Sequence, residues 1–105
     1  MLDQLTDDQR DRLDAAAFRR LLTHLDANKD VQNIDLMILA DFCRNCLGDW
    51  WAEAAEAEGL QAGNNDGRER VYGMPYAQWK AAHQKPATDQ QMAAFKARMV
   101  AKGKS

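Results

Sequence analysis

No stretch of the chain comes near the roughly 18 consecutive apolar residues that a bilayer-spanning helix requires, so no membrane partner is expected. The opening residues also lack a basic segment followed by an apolar one, the mark of a secretory signal. A cytoplasmic location is the resulting expectation, where thiols stay reduced and a structural disulfide has little chance to form. Cysteine is scarce: Cys43 and Cys46 are the only two, so one chain cannot supply a four-cysteine zinc site. Charge of neither sign dominates, since fourteen basic and sixteen acidic side chains give a net −2, which calls for no polyelectrolyte partner. No helix carries a continuous basic face, and Arg68-Glu69-Arg70 is too small a cluster for a nucleic-acid footprint. Glycine-rich phosphate loops, strand-like alternation, repeats and low-complexity tracts are missing as well.

What remains is a 105-residue sequence, 46% hydrophobic and 29% charged, a balance that excludes disorder and suits one domain over residues 1–105 with a modest core. Thr6 with Gln9 forms a capping box that opens a helix over Asp7–Asp26, with Leu13, Ala17, Phe18, Leu21, Leu22 and Leu25 as its apolar stripe. Asn33 is the expected N-cap of a second helix running from Ile34 to about Glu58, where Gly59 can take the left-handed conformation. Leu36, Leu39, Cys43, Cys46, Trp50 and Ala57 form one stripe on it; Ile34, Ile38 and Phe42 form a neighbouring row. Gly63–Gly67 reads as a turn, followed by a short helix over Arg68–Tyr72 that stops at Gly73. Pro75 suits the first position of a helix bearing Tyr76, Trp79 and His83 on one face. Thr88 with Gln91 opens a terminal helix, with Met92, Phe95 and Met99 facing inward. The expected fold class is therefore all-α, an irregular multi-helical array around a long central helix. The first half of that helix is apolar around most of its circumference and needs cover on all sides. A second copy of the chain, related by a two-fold axis, provides it most economically.

Three segments carry a family resemblance: Asp30-Val31-Gln32-Asn33-Ile34-Asp35-Leu36-Met37, Phe42-Cys43-Arg44-Asn45-Cys46-Leu47, and Val71-Tyr72-Gly73-Met74-Pro75-Tyr76-Ala77-Gln78-Trp79. Together, and in this order, they resemble the bacterial family known as domain of unknown function 1244. The resemblance implies a small multi-helical fold and an intertwined homodimer. It implies no established activity, and so brings no catalytic residue. Trp51 stands where the family pattern has tyrosine, and His83 lies outside the pattern.

The cysteine pair is the sequence's one handle on chemistry. Residues three apart in a regular helix have Cβ atoms about 5–6 Å apart, whereas a disulfide wants about 3.5–4.5 Å. Redox Cys-x-x-Cys motifs escape this by sitting at a helix N-terminus, and Cys43 falls deep inside the predicted helix. Thiol–disulfide chemistry is thus disfavoured. A zinc or iron site would have to add His24, His83 or Asp41 to Cys43 and Cys46, or join two copies of the pair across a dimer axis. Packing alone is the simpler reading, since cysteine behaves as a small buried hydrophobe. Asp26-Ala27-Asn28-Lys29-Asp30 begins like a calcium loop but has Val31 where glycine is needed and Met37 where a bidentate glutamate is needed. Tyr76 and Trp79, with Trp50 and Trp51, form the candidate interaction surface, or else pack against one another. The functional expectation is a homodimeric interaction or accessory protein without catalysis or cofactor of its own, serving a protein partner the sequence does not identify. The alternative is a metal-binding protein or metal-dependent enzyme built on Cys43 and Cys46.

Overall fold

The computed structural model describes residues 1–103, and within them the chain is all-helical, as its periodicity predicts. A single 3₁₀ turn at Leu2–Gln4 precedes six helices: α1 (Asp7–Asp26), α2 (Asn33–Ala40), α3 (Arg44–Ala57), α4 (Asn64–Tyr72), α5 (Tyr76–His83) and α6 (Asp89–Ala101). Both predicted capping boxes are present. Thr6 accepts from the Gln9 amide at 3.1 Å, and Thr88 accepts from the Gln91 amide at 3.0 Å.

The long central helix expected from the sequence is two helices. Asp41 takes the left-handed conformation (φ 59°, ψ 34°), which ends α2, and Cys43 is the extended N-cap of α3 (φ −145°, ψ −177°). Aspartate tolerates that backbone better than most residues, because its short polar side chain can bond locally. No glycine or proline marks the break, so the apolar pattern runs through it without interruption. The predicted stripe breaks with it: Leu39 is 76% exposed, Trp50 is 53% exposed, and Ala57 is exposed too. The N-cap of α2 is Gln32 rather than Asn33, its amide donating to Asp35 Oδ2 at 2.9 Å.

Helix α3 ends as Gly59 predicts. Leu60 N–H donates to Ala55 O at 3.0 Å and Gly59 N–H to Glu56 O at 2.9 Å, a Schellman pairing with Gly59 at φ 81°. The predicted turn over Gly63–Gly67 is instead the cap and first turn of α4, which begins at Asn64 and not at Arg68. The reason lies in packing. Helices α3 and α4 form an antiparallel hairpin in which Gly48 and Gly67 meet backbone to backbone, with Ala52, Ala55 and Val71 buried beside them. A side chain at either glycine would hold the helices apart.

The core joins Leu22 and Leu25 of α1, Leu36 of α2, Cys43 and Leu47 at α3, and Val71 of α4, with Phe18, Val31, Met37, Phe42 and Cys46 packed around it. Only the C-terminal part of α1 reaches this core. Leu13 is 53% exposed, and Ala17 and Leu21 are exposed with it. Helix α6 lies along α2, joined by Gln91 Nε2 donating to Asp35 Oδ1 at 2.8 Å and by a 3.1 Å Lys102–Asp41 ion pair. Phe95 and Met99 are half-buried there, whereas Met92, expected inward, is exposed. The result is elongated, 49 × 31 × 27 Å. Its Cα radius of gyration is 16.1 Å, against about 13 Å for a compact chain of this length. No helix among the described residues is long and apolar enough to cross a membrane.

Candidate functional site

The break between α2 and α3 places Cys43 at the N-cap and Cys46 at the third helical position of a 14-residue helix. Their sulfurs lie 3.9 Å apart. Cys43 is therefore not deep within a helix as expected, and the spacing objection to thiol chemistry falls with that placement. Cys43 is buried and Cys46 half-buried, both as free thiols. Burial pushes the Cys43 thiol above its ordinary pKa, while the backbone amides of Cys46 and Asn45 pull the other way.

A buried polar network fixes this junction. Arg44, the first residue of α3, is 2% exposed and has no carboxylate within ion-pair distance among the described residues. Its guanidinium donates to carbonyl oxygens at the end of α1 and in the following loop: Val31 at 2.7 Å, Asn28 at 3.0 Å and Leu25 at 3.4 Å. It also donates to Asn33 Oδ1 at 3.1 Å and lies over the Trp79 ring, 5.1 Å from its centroid. Carbonyls at a helix C-terminus are the negative end of its dipole, so a cation there replaces the water they would otherwise need. Burial lowers the Arg44 pKa, and the nearby Tyr72, Cys43, Asp26 and Asp30 act in the opposite direction.

Tyr72 continues the network, accepting from Asn33 Nδ2 at 2.9 Å and donating to Asn45 Oδ1 at 2.8 Å. Gln32, also buried, clamps the end of α5. Its amide nitrogen donates to His83 O at 3.2 Å, and its oxygen accepts from Lys85 N–H at 2.8 Å. Burial raises the Tyr72 phenol far above its ordinary value of 10.0. Tyrosines of the unfolded chain therefore ionise first. The stability this group contributes is whole below that ordinary value and is lost as pH climbs toward the folded one. Urea midpoints are expected to fall in wild type above pH 10.0, and to fall less steeply in Tyr72→Phe, whose midpoint starts lower. Parallel curves for the two proteins would contradict this role for Tyr72.

The remaining predicted residues are dispersed. His24 is exposed in the last turn of α1. His83 is half-buried, its ring against Trp79 at 5.4 Å. Asp41 pairs with Lys102. Among the described residues no group of three or more His, Cys, Asp or Glu side chains comes together to hold a metal ion. The aromatic set also divides. Trp79, 2% exposed, packs on Tyr72 at 4.7 Å, and Tyr76 stacks on Tyr72 at 5.1 Å. Trp50 stacks instead on Phe42 at 6.4 Å, and Trp51 is half-buried on α3. Trp79 thus packs against Tyr72 and Arg44, and Tyr76 against Tyr72 and Arg68, rather than against Trp50 or Trp51.

Sequence reasoning missed Arg44 and Gln32 as organisers of the junction. The available signal was a guanidinium flanked by Phe42, Cys43, Cys46 and Leu47, since a charge among apolar neighbours is either exposed by a break or buried with partners. Gln32, Asn33, Arg44 and Asn45 lie in segments that carry the family resemblance, and so do Tyr72, Tyr76 and Trp79. Among curated proteins, none matches the chain. The family described as protein of unknown function (DUF1244) matches residues 31–97, which span α2 to most of α6, and the chain belongs to that family.

Proposed function

We propose that the protein is a cytoplasmic interaction or accessory protein that works as an intertwined homodimer. The observation that carries this reading is the spread of the chain, 16.1 Å in radius of gyration, with large apolar side chains left uncovered along it. Leu13 and Leu21 on α1, Leu39 on α2, Trp50 on α3, and Met92 and Val100 on α6 are all exposed. A 20-residue helix is about 30 Å long, and of the apolar stripe on α1 only Leu22 and Leu25 are buried, while Leu13, Ala17 and Leu21 are exposed. Amphipathic helices owe most of their stability to burial of that stripe. A second copy covers it with the complementary apolar surface of the same chain, in the self-complementary manner of two-fold dimers.

Sedimentation equilibrium tests the reading. The expected mass is twice the 11.9 kDa of one chain, 23.8 kDa, across micromolar concentrations. Leu13→Glu combined with Leu21→Glu should shift the protein toward one copy, because both substitutions fall on exposed positions that only a partner would cover. A wild-type mass of 11.9 kDa at every concentration would rule the reading out.

A further inference from the structure

We propose that Cys43 and Cys46 form a thiol–disulfide exchange site that takes low-molecular-weight disulfides of the glutathione type as its substrate. Their positions make ring closure feasible. Cys43 is the extended residue before the first turn of α3 and Cys46 lies within that turn. No helical turn precedes Cys43 to restrict its side-chain torsion, so the pair can approach without unwinding α3. The sulfurs already face each other at 3.9 Å, about 2 Å farther than a covalent S–S bond. Mid-helix thiols at the same sequence spacing would have to distort the backbone to do this.

Exposure assigns the two roles. Cys46 is half-buried and can be reached by a small disulfide, whereas Cys43 is buried among Leu25, Leu36 and Leu47 in the core cluster. Cys46 loses its proton to solvent, and its thiolate attacks one sulfur of the substrate. The substrate S–S bond breaks, one thiolate leaves and takes a proton, and Cys46 holds the other half as a mixed disulfide. Cys43 then loses its proton and attacks the Cys46 sulfur, expelling the second substrate thiol. Two electrons pass from the dithiol to the substrate, so two thiols and one disulfide become one Cys43–Cys46 disulfide and two substrate thiols. Excess glutathione reverses the sequence. The site is complete within one chain and stands independently of the two-copy reading.

The test uses native wild-type protein in mixtures of glutathione and glutathione disulfide of rising oxidised fraction. Samples are acid-quenched, alkylated and weighed by intact mass spectrometry. The expected product is a single chain lighter by two hydrogens, protected from alkylation at both cysteines and restored by excess glutathione. Cys43→Ser, shown to be folded by circular dichroism, should accumulate a stable glutathione adduct on Cys46. Three wild-type results would each overturn the proposal: thiols that oxidise only after denaturation, a glutathione adduct as the end product, or a disulfide linking two chains. Since the deciding readout is on wild type, the proposal stays testable even where the variant fails to fold.

Discussion

Replacing Arg44 with methionine is expected to cost about 3 kcal/mol of folding stability, a large part of what a domain of this size possesses, because buried carbonyls lose their donor. Methionine keeps the unbranched apolar stem and removes the guanidinium, so the loss reports its polar contacts together with the space it vacates. Each hydrogen bond from a charged group contributes about 1.5–3 kcal/mol. Arg44 makes four such bonds through its guanidinium, to Leu25, Asn28, Val31 and Asn33. Their sum exceeds the expected loss because the bonds share one group, and because the carbonyls of the 28–31 loop regain water when the side chain goes. Arg44→Lys should fall between wild type and Arg44→Met, since an ammonium offers three donors from one point and cannot span the fork. Urea unfolding followed by tryptophan fluorescence measures all three proteins. A loss below about 1 kcal/mol for Arg44→Met would mean that the network does not hold the junction.

Gly67→Ala should be comparably severe, about 3 kcal/mol or more, although alanine is the better helix former. A Cβ at Gly67 would overlap the carbonyl oxygen of Gly48, and one at Gly48 would sit 2.8 Å from the Arg68 amide nitrogen. Both obstacles are backbone, which cannot rotate aside as a side chain would. Propensity alone favours the alanine by about 1 kcal/mol, so the two effects have opposite signs and the measurement separates them. Gly59→Ala provides the contrast, with nothing near its Cβ and only the left-handed backbone against it. A Gly67→Ala protein as stable as wild type would show that α3 and α4 can separate without loss.

The sequence made the helices legible wherever side chains announced them. Thr6, Thr88, Gly59 and Gly73 each ended or began an element within one residue of expectation, because capping chemistry is local. The break at Asp41 was illegible for the complementary reason. A left-handed aspartate leaves no periodicity change, and Leu39 and Ala40 before it and Phe42 and Cys43 after it keep the apolar pattern going. Helix α4 was clipped because Asn64-Asn65-Asp66-Gly67 has turn propensity, which the contact with Gly48 overrides. The error at Asp41 spread to the chemistry, since the position of Cys43 within the helix decided whether its spacing from Cys46 favoured or opposed reaction. The stacking of Arg44 over Trp79 joins residues far apart in the chain, and local pattern carries no record of it.

The glycine contact between α3 and α4 also bears on the order in which the chain assembles. Only the 58–63 link separates these two helices, and the loss of chain entropy on closing a loop grows with its length. The most intimate helix pair among the described residues is therefore less costly to bring together than α2 with α6 or α1 with α4, whose partners lie much farther apart in the chain. It needs no large side chain to find its rotamer before the backbones can meet. Contacts of such short range favour rapid folding, and they present α1, which arrives from the N-terminal end of the chain, with a surface already formed.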